Sequence, residues 1–96
     1  MKVSVIMGSK SDYPKLEEGI DLLKKYQVDI EVRVLSAHRT PKELFNYLEE
    51  IEETTDVIIA AAGKAAHLPG VISAHTLIPV VGLPIKSSTM DGLDSL

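Results

Sequence analysis

At 96 residues, with 45% hydrophobic and 25% charged side chains, the chain has the composition of one small globular domain rather than a disordered segment. A net charge of -4 gives no general attraction to nucleic acid, and the lack of cysteine excludes disulfides and thiolate metal sites. The sequence starts directly on a strand pattern without a signal sequence, and no apolar run approaches the ~18 residues of a membrane span, so the cytoplasm is the expected compartment.

Residues 3–7 make a short apolar run interrupted only by Ser4, the pattern of a buried strand in a parallel sheet. Gly8-Ser9-Lys10-Ser11-Asp12 follows as a tight, donor-rich turn, with Ser11 or Asp12 placed to cap a helix that Pro14 opens. That helix carries Leu16, Ile20 and Leu23 on one face, has Lys24 and Lys25 near its end, and stops near residues 26–29. A second strand over 30–35 alternates Ile30, Val32 and Val34 with Glu31 and Arg33, the period of a half-buried strand.

Ser36-Ala37-His38-Arg39-Thr40-Pro41 then leads into a second helix, with Thr40 as N-cap, Pro41 in the first helical position and Glu43 completing a capping box. Leu44, Leu48 and Ile51 share one face of this helix, and Thr54, Thr55 and Asp56 end it. Residues 57–61 are apolar throughout, which predicts a central strand. The turn Ala62-Gly63-Lys64-Ala65-Ala66-His67 is rich in small residues that let a ligand or another backbone come close. A third helix over 68–76, with Pro69 in its first turn, packs through Val71 and Ile72, with Leu68 as a further candidate. Residues 79–84 give a fourth strand bounded by prolines, 86–92 a loop, and 94–96 the beginning of a further element.

Strands alternating with helices imply a parallel sheet with right-handed crossovers and helices on both faces. The loops after the first three strands then share one edge, outside the carboxyl ends of the strands, where such folds bind ligands. His38 is the candidate proton carrier there, because histidine exchanges a proton near neutrality. Arg39, at a helix start beside hydroxyls, suits an anion such as phosphate. Asp12 is either a helix cap or an acceptor for ribose hydroxyls. Ser9 and Ser11 are common turn residues and say little by themselves. His67 fits a helix start or a subunit contact, and His75 the surface. Residues 8–11 lack the second glycine of a phosphate-binding P-loop, no Gly-x-Gly-x-x-Gly fingerprint is present, and the histidines show no metal-ligand spacing.

Three stretches together, Met7-Gly8-Ser9-Lys10-Ser11-Asp12, Ser36-Ala37-His38-Arg39-Thr40-Pro41 and Ala65-Ala66-His67-Leu68-Pro69-Gly70, resemble the catalytic carboxylase or mutase subunit of de novo purine synthesis. Gly92-Leu93-Asp94-Ser95-Leu96 is similar to a fourth signature of that family. The resemblance covers the whole chain and implies a flavodoxin-like three-layer α/β/α sandwich, four of whose strands are present. It also implies a cofactor-free, metal-free enzyme that interconverts N5-carboxyaminoimidazole ribonucleotide and 4-carboxy-5-aminoimidazole ribonucleotide. By this likeness Ser11, Ser36 and Arg39 hold the phosphate, Asp12 the ribose, Ser9 lines the same pocket, and His38 is the general acid and base. Gly63 and His67 lie beside the carbon dioxide that passes between the two forms.

The third stretch is similar to the mutase branch rather than the branch that uses free carbon dioxide. Ala61 and Lys64 depart from the glycines usual there, so either backbone approach to the carboxylate is tighter or the Lys64 ammonium adds an anion contact. Family members continue well beyond this length and form octamers. The expectation is therefore a single PurE-like domain over 1–96 lacking the C-terminal third, with an exposed sheet edge and apolar face, a retained ligand-binding edge for a ribonucleotide partner, and both activity and homo-oligomers in doubt. A non-catalytic nucleotide-binding fragment, a carboxylase using aminoimidazole ribonucleotide and carbon dioxide, and a carboxylase acting on another mononucleotide are the alternatives.

Overall fold

The computed structural model describes residues 1–63 and 67–85. The chain alternates β1 (Lys2–Met7), α1 (Tyr13–Lys25), β2 (Asp29–Val34), α2 (Pro41–Ile51), β3 (Val57–Ala62), α3 (Leu68–Ser73) and β4 (Val80–Pro84), with one 3₁₀ turn at Lys10–Asp12 before α1. All strands pair in parallel in the order β2-β1-β3-β4. This is the flavodoxin-like winding, in which the chain first moves one way from β1 and then returns past it to β3. The expected fold class is borne out.

Strand periodicity divides the core in two. Ile6, Ile58, Ala60 and Ala62 point to one face and pack with Leu44, Tyr47, Leu48 and Ile51 of α2 and Leu68 and Ile72 of α3. Val3, Val5, Met7 and Ala61 point to the other and pack with Leu16 and Ile20 of α1. Because both faces of β1 are covered, its residues from Val3 to Met7 are all buried, which is why β1 reads as a continuous apolar run. On β4, at the sheet edge, Val81 and Leu83 are 52% and 40% exposed. The expected apolar edge is thus present among the described residues.

Several local expectations are corrected. The third helix ends at Ser73 rather than Thr76. His75 N–H has already tightened to the Ile72 carbonyl, and the Thr76 hydroxyl leaves the helix to bond the Glu52 carboxylate, which also accepts from the Leu77 N–H at 2.9 Å. These two donors hold the Glu52 carboxyl below its ordinary range. Neither Ser11 nor Asp12 caps α1 by its side chain; Ser9 caps the preceding 3₁₀ turn, accepting from Ser11 N–H at 3.3 Å. Nor does Thr40 close a capping box, since its side chain makes no cap bond to α2.

The polar side of β2 is only partly a solvent face: Arg33 is exposed, but Glu31 is half-buried. Tyr47 on α2 reaches across it, its hydroxyl 2.7 Å from the Ser4 hydroxyl and donating to the Glu31 carboxylate at 2.5 Å, while the Arg33 guanidinium lies 5.2 Å from the ring centroid. Ser4 and Glu31 are register partners, so one phenol ties α2 to both β1 and β2. Burial first, and then the bond to Glu31, push the Tyr47 pKa up to about 12. The neutral phenol is the form the fold prefers. Its contribution is therefore complete below the ordinary value near 10 and lost as pH rises through about 12. Tyr47→Phe is expected to cost about 1–3 kcal/mol, because it strands the fully buried Ser4 hydroxyl, and to remove that alkaline loss. Urea midpoints at pH 8 and a melting series up to pH 12 check both.

Candidate functional site

The reversal of winding lies between β1 and β3, and the loops leaving β1, β2 and β3 meet at its carboxyl end. They are joined through one residue, Gly8. Gly8 N–H donates to the Ala61 carbonyl at 3.2 Å, and the Gly8 carbonyl accepts from Arg39 Nη2 at 3.0 Å. The first bond holds the β1 loop to the end of β3. The second holds the β2 loop to the β1 loop. Arginine offers five N–H donors in a planar fork, and this contact uses one of them.

Within the β1 loop, the Ser9 and Ser11 hydroxyls lie 2.9 Å apart, and Asp12 N–H closes the turn on the Ser9 carbonyl at 3.0 Å. Asp12 is buried where the 3₁₀ turn passes into α1, while Ser11 is exposed. In the β2 loop the Ser36 side-chain oxygen accepts from His38 N–H at 3.2 Å and Arg39 N–H at 3.0 Å, so the serine holds the backbone of both candidate residues. His38 and Arg39 are themselves exposed, open to a ligand.

After β3, Gly63 is half-buried at the bend, and His67 precedes α3 with φ 58°, in the left-handed region. Histidine is among the few residues other than glycine enriched there. This backbone turn sets the direction in which α3 leaves the site edge. Lys64, Ala65 and Ala66, and with them part of the third signature stretch, lie outside the described residues, as does the fourth signature at 92–96. His75 is away from this edge, stacked on Phe45 with ring centroids 4.1 Å apart and with Nδ1 2.9 Å from the Val71 carbonyl.

The geometry thus links the Gly8 peptide, Ser36, His38 and Arg39 directly and places Ser9, Ser11, Asp12, Gly63 and His67 on the same edge. An open groove of about 550 Å³, lined by Lys15, Leu16, Leu83, Pro84 and Ile85, lies beside it on the α1 face. No predicted site residue lines that groove, and sequence reading gave no signal for it, because Lys15 reads only as a charge in the first turn of an amphipathic helix. The role of the Gly8 backbone was equally silent, since any residue supplies a carbonyl. Among the described residues, no three His, Asp or Glu side chains cluster as a metal site would require, and no helix is long and apolar enough to cross a membrane.

The family model for AIR carboxylase matches residues 2–96. The N5-carboxyaminoimidazole ribonucleotide mutase of Pyrococcus abyssi is 55% identical over 96 residues, covering 99% of this chain and 55% of that protein. The mutase of the same name from Saccharolobus solfataricus is 51% identical, covering 99% of this chain and 61% of that one. In three dimensions the chain is similar to Treponema denticola PurE, with a TM-score of 0.89, 27% identity, and coverage of 97% of this chain and 60% of that one. The chain therefore spans little more than half the length of these relatives.

Proposed function

The chain belongs to the AIR carboxylase family, and from that premise we propose that it acts as an N5-carboxyaminoimidazole ribonucleotide mutase in purine synthesis. The identity to proteins of that name supports the mutase branch. The observation that carries the reading at the level of the site is the Arg39 bond to the Gly8 carbonyl, which brings the His38 turn over the loop that holds Ser9, Ser11 and Asp12.

In this proposal Ser11, Ser36 and Arg39 bind the phosphate, with Arg39 supplying paired donors to its oxygens. Asp12 accepts from the ribose hydroxyls, and Ser9 lines the pocket. His38 in its protonated form gives a proton to the carbamate nitrogen; the N–C bond breaks, its electron pair stays on nitrogen, and carbon dioxide is released. Carbon dioxide remains between Gly63 and His67. The ring carbon at position 4 attacks it, forming the new C–C bond, and neutral His38 takes the proton that this carbon carried. The histidine ends as it began, so the cycle needs no external acid or base and no cofactor. Excluding water keeps the freed carbon dioxide in place.

A cytoplasmic location, a single domain over 1–96 and homo-oligomeric assembly belong to the same proposal. The test is to incubate the 96-residue chain with N5-carboxyaminoimidazole ribonucleotide and follow the 4-carboxy isomer. Conversion above the uncatalysed rate is expected. Binding without conversion would reduce the reading to a nucleotide-binding module, and neither would overturn it.

A further inference from the structure

Thr40 stands where the sequence places the N-cap of α2, yet its hydroxyl is used elsewhere. The Thr40 Oγ1 accepts from Ser36 N–H at 2.9 Å and donates to the Ser36 carbonyl at 3.3 Å, and Thr40 N–H bonds the same carbonyl at 3.1 Å. Both backbone groups of Ser36 are thus held by one residue. Ser36 Oγ in turn accepts from the backbone N–H groups of His38 and Arg39. Those bonds use the serine oxygen only as an acceptor, so they do not consume its O–H hydrogen.

We infer that Thr40 is a positioning residue: its hydroxyl fixes the Ser36 peptide so that Ser36 Oγ, His38 and Arg39 are presented to a nucleotide as one unit. The inference rests on the proposed reading of Ser36 and Arg39 as nucleotide-binding and of His38 as the proton carrier. An ordinary cap would instead act on the first N–H groups of α2, at Lys42 and Glu43, where Thr40 makes no side-chain bond. The hydroxyl, and not the size or β-branching of the side chain, is the feature that matters. Valine keeps the shape without the hydroxyl, and serine keeps the hydroxyl without the methyl.

The experiment uses Thr40→Val and Thr40→Ser in the 96-residue chain, with Thr40→Ala as a second deletion of the hydroxyl should valine not fold. Amide hydrogen exchange is measured residue by residue in the free protein, and affinity is measured by calorimetry with 4-carboxy-5-aminoimidazole ribonucleotide as probe. Loss of the hydroxyl is expected to speed exchange at Ser36, His38 and Arg39 about tenfold, leave Lys42 and Glu43 unchanged, and weaken binding about tenfold, with serine restoring both. Faster exchange confined to Lys42 and Glu43 would make Thr40 a helix cap and overturn the inference. Unchanged affinity in a wild type that binds would overturn it alone, whatever the exchange. A wild type that binds no nucleotide would instead remove the functional reading, and the inference with it.

Discussion

His38→Asn is expected to lower conversion of N5-carboxyaminoimidazole ribonucleotide by roughly 10²- to 10⁴-fold, the range that general acid–base catalysis supplies. Asparagine keeps a planar polar side chain and leaves the backbone N–H of residue 38 on Ser36 Oγ, but it cannot shuttle a proton. The proposed cycle uses one group twice, first as donor to nitrogen and then as acceptor from carbon, so no neighbouring group compensates for half of the task. Because His38 is exposed and its side chain is not part of either core cluster, the substitution should leave the melting temperature nearly unchanged. Nucleotide affinity should also change little, since binding is assigned to Ser11, Asp12, Ser36 and Arg39. A variant that converts substrate at more than a tenth of the wild-type rate would remove His38 from the reaction. A variant that fails to bind would move the residue from proton transfer to recognition.

The central place of β3 was legible because burial on both faces leaves a strong signature. The uninterrupted apolar residues of β3 placed it centrally, and the structure puts it between β1 and β4. The alternation in β2 was legible too, but its meaning was not. Glu31 and Arg33 would both read as plain solvent positions, whereas here the Tyr47 phenol donates to the half-buried Glu31 and its ring lies beside the exposed Arg33 guanidinium. Tyr47 itself falls on the apolar face that Leu44, Leu48 and Ile51 define, and its hydroxyl hid it from a purely hydrophobic count.

At the site, the residue types at 36–40 disclosed a strand-to-helix turn and carried the expectation of an anion there. They could not disclose which hydroxyl bonds which amide. Ser36 and Thr40 have nearly equal capping chemistry, and only the path of the backbone decides that Ser36 takes the His38 and Arg39 N–H groups while Thr40 turns back on Ser36. The meeting of Arg39 with Gly8, separated by 31 positions, is likewise a product of topology. The helix at 68–76 was drawn too long because the Thr76 contact with Glu52 comes from a residue 24 positions away.

Leu44→Ala should be the most damaging of these substitutions to the fold, costing about 2–5 kcal/mol. Leu44 is fully buried, on the α2 face that packs on Ile6 and Ile58, and alanine would leave a cavity that the sheet cannot close by itself. A domain of this length has a total stability of roughly 5–15 kcal/mol, so the variant would melt ~10 °C or more below wild type. Leu22→Ala on the exposed side of α1 is the control and should stay within about 0.5 kcal/mol. The effect should also reach the site. Leu44 N–H bonds the Thr40 carbonyl, so the residue that fills the core is one turn from the residue that fixes Ser36. Amide exchange at His38 and Arg39 should therefore rise in Leu44→Ala under native conditions, while exchange in β3 follows only the global loss of stability. If both regions instead change by the same factor, α2 unfolds only with the whole domain. Equal melting of Leu44→Ala and Leu22→Ala would mean that α2 is not docked on the sheet through Leu44, and the support for the His38 turn would have to come from its own Thr40 and Ser36 bonds and the Arg39 bond to Gly8.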